Sequence, residues 1–326
     1  MTIAVVGAGA WGTALANIMA QAEDVLLWAR EAEVVDAVNS GHRNPLFLPG
    51  IDLSPRVRAT GTIADLAGID LWLVVPPAQF LGRVLQSAPL AQRPTLILCA
   101  KGIEAGTHRL MAEVAAAAAS DAPLAVLSGP SFAAEAARGL PTAVTLAAAT
   151  EMQAAALAER IARPTFRPYA SDDIVGAEIG GAVKNVLAIA CGVVIGAGLG
   201  ENARAAIIAR GFAEMTRFGV ARGGRAETLA GLSGLGDLVL TCGSTQSRNM
   251  SLGMALGQGQ TAEQALSGKL SVAEGAATAP VLVEAARAAG VDMPISTAVA
   301  DLLAGRASVP EVVQRLLSRP LKTEGL

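Results

Sequence analysis

Thr2-Ile-Ala-Val-Val6 runs straight into Gly7-Ala-Gly9-Ala-Trp-Gly12, and Thr13-Ala-Leu-Ala-Asn-Ile-Met-Ala20 follows. The reading of this stretch decides the fold. A β-prone apolar run meets a Gly-x-Gly-x-x-Gly, and a helix-length apolar segment comes next. With 35 glycines in 326 residues, chance alone supplies about 0.4 such triplets, so the setting carries the argument. The first glycine allows a tight turn and the second lets backbone approach a pyrophosphate. The third lets helix pack on strand, and the helix N-terminus attracts the anion. Gly7, Gly9 and Gly12 are therefore read as a dinucleotide-binding loop.

Outward from this unit the pattern repeats. Val25–Trp28, Leu71–Val75, Thr95–Ala100 and Leu124–Leu127 are apolar on both faces, as buried parallel strands are. Helix-length segments lie between them at Glu31–Asn39, Pro77–Ser87 and His108–Ser120. Repeated βα implies an α/β fold, a Rossmann-type doubly wound parallel sheet. Further strands are possible at Ala143–Leu146 and Thr165–Pro168; after Ser171 the chain reads as helices joined by glycine-rich turns. The expected domains are 1–172, dinucleotide-binding, and 173–326, helical and substrate-binding. Ser171-Asp-Asp173 can cap the first long helix.

The length suits two domains. Composition raises a membrane question: 52% of residues are apolar, mean hydropathy is +0.47 and only 16% are charged. Met1–Ala22 has no charged side chain, but glycines and polar residues interrupt it and no Lys/Arg start precedes it. Val186–Gly200 is shorter than the roughly 20 residues a span needs. The expectation is a soluble, cytoplasmic protein without membrane insertion. Cys99, Cys191 and Cys242 lack any Cys-x-x-Cys spacing, so neither a disulfide framework nor a metal site is expected. A net charge of −3 with 3% aromatics argues against nucleic acid as a partner. His42 and His108, each beside an arginine in turn-like sequence, read as surface residues.

Of 25 basic residues only four are lysine: Lys101, Lys184, Lys269 and Lys322. Arginine does not release its proton at working pH and a desolvated lysine can, so the lysines are the proton-transfer candidates. Lys184 lies in Glu178-Ile-Gly-Gly-Ala-Val-Lys184-Asn185. On a helix Gly180 and Gly181 would clear space above it for substrate, with Asn185 and Glu178 to steady it; the other reading is a lysine snorkelling at a helix edge. Lys101 ends a parallel strand, where open α/β sheets bind ligands, or is a plain loop lysine. Gly129-Pro-Ser131 follows another strand. Gly234-Leu-Gly236-Asp237 precedes Ser247-Arg248-Asn249, which at a helix start suits a phosphate, or is simply a capped helix. At the end of the second strand Arg30 can pair with the 2′-phosphate of NADP, while the adjacent Glu31 keeps NAD possible.

Eight ordered blocks, GAGAWGTALA, NPLFLPG, AKG, SGPSFAAE, EIGGAVKN, LSGLGDLVLTC, SRN and VAEG, resemble those of the bacterial NAD(P)-dependent glycerol-3-phosphate dehydrogenases over nearly the whole chain. The resemblance implies a C-terminal all-α domain of the 6-phosphogluconate dehydrogenase C-terminal type. It implies reversible hydride transfer between sn-glycerol 3-phosphate and NADP (preferred) or NAD, yielding dihydroxyacetone phosphate, in a homodimer serving phospholipid synthesis. Lys184 would exchange the proton. Lys101, Gly129, Ser131, Lys184, Asp237, Ser247, Arg248 and Asn249 would bind substrate. Ala10, Trp11, Arg30, Lys101, Ala133, Arg248, Val272 and Glu274 would join the glycines in touching cofactor. Two alternatives share the glycine loop. A β-hydroxyacid or ketopantoate-type reductase would not need Ser247-Arg248-Asn249 to anchor phosphate; a non-catalytic NADP-binding sensor would not need Lys184.

Overall fold

A computed structural model describes residues 2–267 and 273–320. The chain forms two compact units: residues 1–101 with 109–174, and residues 102–108 with 175–326.

In the first unit the strands are β1 (Thr2–Val6), β2 (Asp24–Trp28), β3 (Arg43–Asn44), β4 (Leu48–Asp52), β5 (Val57–Thr60), β6 (Leu71–Val74), β7 (Thr95–Leu98), β8 (Leu124–Ser128), β9 (Thr142–Ala148) and β10 (Phe166–Ser171). The α-helices between them are α1 (Ala10–Met19), α2 (Ala32–Gly41), α3 (Ala78–Gln86), α4 (Met111–Ala118), α5 (Ala133–Ala137) and α6 (Glu151–Ile161). Among the described residues eight strands make one sheet in the order β10-β9-β8-β7-β6-β1-β2-β5, and β3 with β4 forms a separate antiparallel pair. From β1 the chain winds outward to β2 and β5, then crosses back to β6, β7 and β8. This reversal puts the topological switch point between β1 and β6. Ile3, Ala4, Val5 and Val6 are buried, which is why β1 reads as an unbroken apolar run.

The sheet is mixed rather than wholly parallel. β9 runs antiparallel to β8, pairing Leu127 with Leu146, and β10 lies parallel to β9. The apolar pattern of Ala143–Leu146 marks a buried strand but carries no direction. The connection through α5 returns the chain antiparallel to β8.

The second unit contains α7 (Ile174–Gly196), α8 (Glu201–Ala221), α9 (Ala226–Ala230), α10 (Asp237–Gly243), α11 (Arg248–Gly257), α12 (Ala262–Leu266), α13 (Glu274–Ala288), α14 (Pro294–Leu303) and α15 (Val309–Leu317), with a π-helical turn at Leu232–Gly236. Helix α7 is apolar along most of its length, with Glu178, Lys184 and Asn185 as its polar exceptions, and 89% of its most apolar 18-residue window is buried inside the protein. By length and composition it could cross a membrane; here that apolarity faces other helices. Glycines set its closest crossing. A Cβ on Gly192 would lie 2.2 Å from Met250 O, and one on Gly253 of α11 would lie 2.0 Å from Ile189 O.

Residues 102–108 fold with these helices. Arg222 Nη1 donates to His108 O at 3.3 Å, and His108 Nε2 lies 3.2 Å from Glu284 Oε2. Both histidines occupy left-handed turns, His42 (φ 48°) closing α2 and His108 at φ 59°. Short polar segments tolerate that conformation.

Candidate active site

In the first unit the candidate residues gather at the carboxyl ends of the parallel strands. Gly7, at φ +107°, turns the chain out of β1 beside the exit of β6. A Cβ there would sit 3.2 Å from Pro76 N. A Cβ on Gly12 would stand 1.8 Å from Gly7 O, so only glycine lets α1 begin this close to β1. Gly9 differs: it is exposed and its Cβ direction is open for 4 Å. The loop is thus tight where it meets protein and bare where a pyrophosphate would approach, so these residues fit a dinucleotide. Ala10 and Trp11 form the first turn of α1.

Arg30 follows β2. Its guanidinium binds Glu31 through Nε (3.2 Å) and Nη2 (2.9 Å), with the Arg30 side chain 79% exposed and that of Glu31 27%. Lys101, beyond β7, donates from Nζ to Gly129 O at 3.1 Å, and Ser131 Oγ donates to the same carbonyl at 3.0 Å. Three of the candidate residues therefore converge on one peptide oxygen. Gly129, at φ +142°, also lets β9 approach, since a Cβ would lie 3.0 Å from Val144 Cα. Ala133 opens α5.

In the second unit Lys184 is 8% exposed and Asp237 fully buried. Lys184 Nζ donates to Asp237 Oδ1 at 2.7 Å and to Thr241 Oγ1 at 2.9 Å, while Thr241 Oγ1 donates to Asp237 Oδ1 at 3.2 Å. A buried ammonium needs such a carboxylate. Thr241, within the LSGLGDLVLTC block, was assigned no role from the sequence; its spacing of four from Asp237 on one helix face was the available signal. The expectation for Gly180 needs correction. A Cβ on Gly180 would lie 2.4 Å from Ser233 O, so Gly180 admits the backbone of the π turn that leads to Asp237, and it does not open room for a ligand.

Ser247 caps α11 by accepting from Met250 N at 3.2 Å, which puts Arg248, exposed, on the first helical residue. Asn249 turns inward. Its Nδ2 donates to Asn185 Oδ1 at 3.0 Å and its Oδ1 accepts from Gly275 N at 3.0 Å, tying α7, α11 and α13 together. Asn185, expected to steady Lys184, is thus engaged with Asn249. Glu274 begins α13 beside Gly275. Val272 lies outside the described residues. Burial pushes the Cys99 thiol up to about 12, and a hydrogen bond with Cys191 together with burial holds Cys242 well above the usual range.

A glycine loop at the switch point of a doubly wound sheet, together with a helical unit carrying a clamped lysine, defines a two-domain dinucleotide-dependent dehydrogenase. Residues 2–155 match the family described as NAD-dependent glycerol-3-phosphate dehydrogenase N-terminus, and residues 173–314 its C-terminus. The chain is 61% identical to a glycerol-3-phosphate dehydrogenase (NAD(P)+) of Erythrobacter litoralis, covering 99% of this chain and 97% of the relative. It is 59% identical to one of Caulobacter vibrioides, covering 99% and 98%. A crystal structure of glycerol-3-phosphate dehydrogenase from Coxiella burnetii superposes with a TM-score of 0.92 at 38% identity, covering 98% of this chain and 99% of that one. The chain belongs to the NAD-dependent glycerol-3-phosphate dehydrogenase family.

Proposed function

We propose that the protein interconverts sn-glycerol 3-phosphate and dihydroxyacetone phosphate with NADP or NAD. The observation that carries the reading is the buried Lys184 ammonium gripped by Asp237 and Thr241. In the reducing direction Lys184 Nζ gives its proton to the oxygen developing on C2; in the oxidising direction it takes the hydroxyl proton back. Asp237 and Thr241 orient Nζ for that exchange. The nicotinamide, when bound, supplies or accepts the hydride. Arg248, at the start of α11, holds the substrate phosphate, and Lys101, Gly129, Ser131, Ser247 and Asn249 are assigned to the rest of the substrate. Anchoring the phosphate matters because binding energy away from the reacting carbon fixes that carbon in place. Gly7, Gly9, Ala10, Trp11, Gly12, Arg30, Lys101, Ala133, Arg248, Val272 and Glu274 are assigned to the cofactor. The same reading makes the enzyme a cytoplasmic homodimer that supplies glycerol phosphate to phospholipid synthesis.

The test follows NADPH absorbance with dihydroxyacetone phosphate and repeats the assay with NADH. Lys184→Ala should lower turnover by roughly 10²–10⁴-fold while NADPH affinity stays near that of the parent. Near-normal turnover in that variant would remove Lys184 from the chemistry.

A further inference from the structure

The Asn44-Pro-Leu-Phe-Leu-Pro-Gly50 block has no part in the chemistry above, yet Asn44 is fully buried. Its Nδ2 donates to Ala8 O at 2.9 Å and to Thr13 Oγ1 at 2.8 Å, and its Oδ1 accepts from Phe47 N at 3.1 Å. Thr13, also fully buried, donates from Oγ1 to the same Ala8 carbonyl at 3.0 Å. The amide orientation is thereby determined: reversed, it would set an oxygen against the Ala8 carbonyl and an NH2 against the Phe47 N–H.

The consequence lies across one peptide bond. None of the described peptides is cis, and in a trans peptide the C=O and the following N–H point in opposite directions. With Ala8 O drawn inward to Asn44 and Thr13, the Gly9 N–H points away from that buried pair. Gly9 itself is exposed, is extended (φ −63°, ψ 179°) and has open space at its Cβ position. A glycine peptide has little conformational preference of its own, so without these bonds binding would also have to fix the plane.

We infer that Asn44 is a positioning residue for the pyrophosphate of the cofactor: through Thr13 and the Ala8 carbonyl it fixes the peptide plane that aims the Gly9 N–H at the anion. The inference rests on the dinucleotide reading of the glycine loop. It makes the Asn44 block a brace for that loop, linking residues more than thirty positions apart.

The test compares two ligands by titration: NADPH, which has a pyrophosphate, and adenosine 2′-monophosphate, which has none and is measured by competition against NADPH. Thr13→Val removes the hydroxyl at nearly constant shape, Thr13→Ser keeps it, and Asn44→Asp replaces the donating NH2 with a carboxylate oxygen. Thr13→Val and Asn44→Asp should each raise the Kd for NADPH about tenfold or more and leave that for adenosine 2′-monophosphate within about twofold, with Thr13→Ser close to the parent. If Asn44→Asp does not fold, the Thr13 pair decides. Equal losses for both ligands, or none for NADPH, would overturn the inference. Absence of NADPH binding by the parent protein would instead overturn the reading beneath it.

Discussion

At the scale of single residues the protein places its charges in two settings. Lys184 is buried with its partners, whereas Arg30 lies on the surface with Glu31. An exposed pair of that kind is worth about 0–1 kcal/mol, so on the proposed cofactor assignment a doubly charged 2′-phosphate would take Arg30 from Glu31 at little cost, and Glu31 would be left for the hydroxyls of an unphosphorylated ribose. Arg30→Ala should therefore lower the NADP-to-NAD ratio of kcat/KM by about tenfold or more, the scale of a charge-assisted hydrogen bond; an unchanged ratio would place the choice elsewhere. Thr241 admits a sharper test of orientation. Thr241→Val should lower kcat by about tenfold with little change in NADPH affinity, and Thr241→Ser should restore it. A fall in affinity with kcat preserved would mean that Thr241 shapes binding and does not orient Nζ. Lys184 stood out in the sequence because lysines are scarce; Asp237 was assigned to substrate through the resemblance alone, and its pairing with Lys184 was not read. The bracing of Gly9 by Asn44 was not legible there, since nothing local joins position 44 to position 8.

At the scale of elements, the strands that were legible were those whose burial shows locally. β1, β2, β6, β7 and β8 are apolar runs between turn signals, and they pair in parallel. β5 escaped notice because Val57–Thr60 alternates buried with exposed residues at the sheet edge and carries Arg58. The glycines of the second half play two parts: Gly198, Gly200 and Gly223 take positive φ between helices, as the turn reading expected, whereas Gly180, Gly192, Gly196 and Gly253 sit at close contacts within helices. Gly253→Ala forces a Cβ to within 2.0 Å of the Ile189 carbonyl, which neither helix can relieve without moving apart. It should destabilise the protein by about 1–3 kcal/mol, the usual range for overpacking. Gly243→Ala, with nothing within 4 Å of its Cβ, should stay within about 0.5 kcal/mol of the parent. Urea unfolding of the two variants side by side checks this; equal midpoints would mean that the crossing yields easily. The close crossing also seats the start of α11, where Arg248 stands, so the same variant should weaken binding of phosphorylated substrate.

At the scale of the whole molecule, a chain that is 52% apolar and carries few charges still buries several ionisable groups, and one of them, Glu214, makes stability depend on pH. Glu214 of α8 is 1% exposed and accepts from Ile295 N (2.6 Å), Ser296 N (3.2 Å) and Ser296 Oγ (3.1 Å) at the start of α14. Those donors and the charge of Arg217 favour the carboxylate, but burial outweighs them and pushes its pKa from the ordinary value of 4.5 up to about 7. Between those two values the folded protein holds a proton that the unfolded chain has released. Stability therefore falls as pH rises from about 4.5 to about 7 and levels off above, by about 3 kcal/mol for this shift. Glu214→Gln cannot ionise yet keeps an oxygen for the Ile295 N–H. Its stability relative to the parent should rise by that amount across the same window, read from urea midpoints at pH 4.5, 6 and 8. Parallel curves for the two proteins would show that the α14 N-terminus stabilises the Glu214 carboxylate enough to offset its burial.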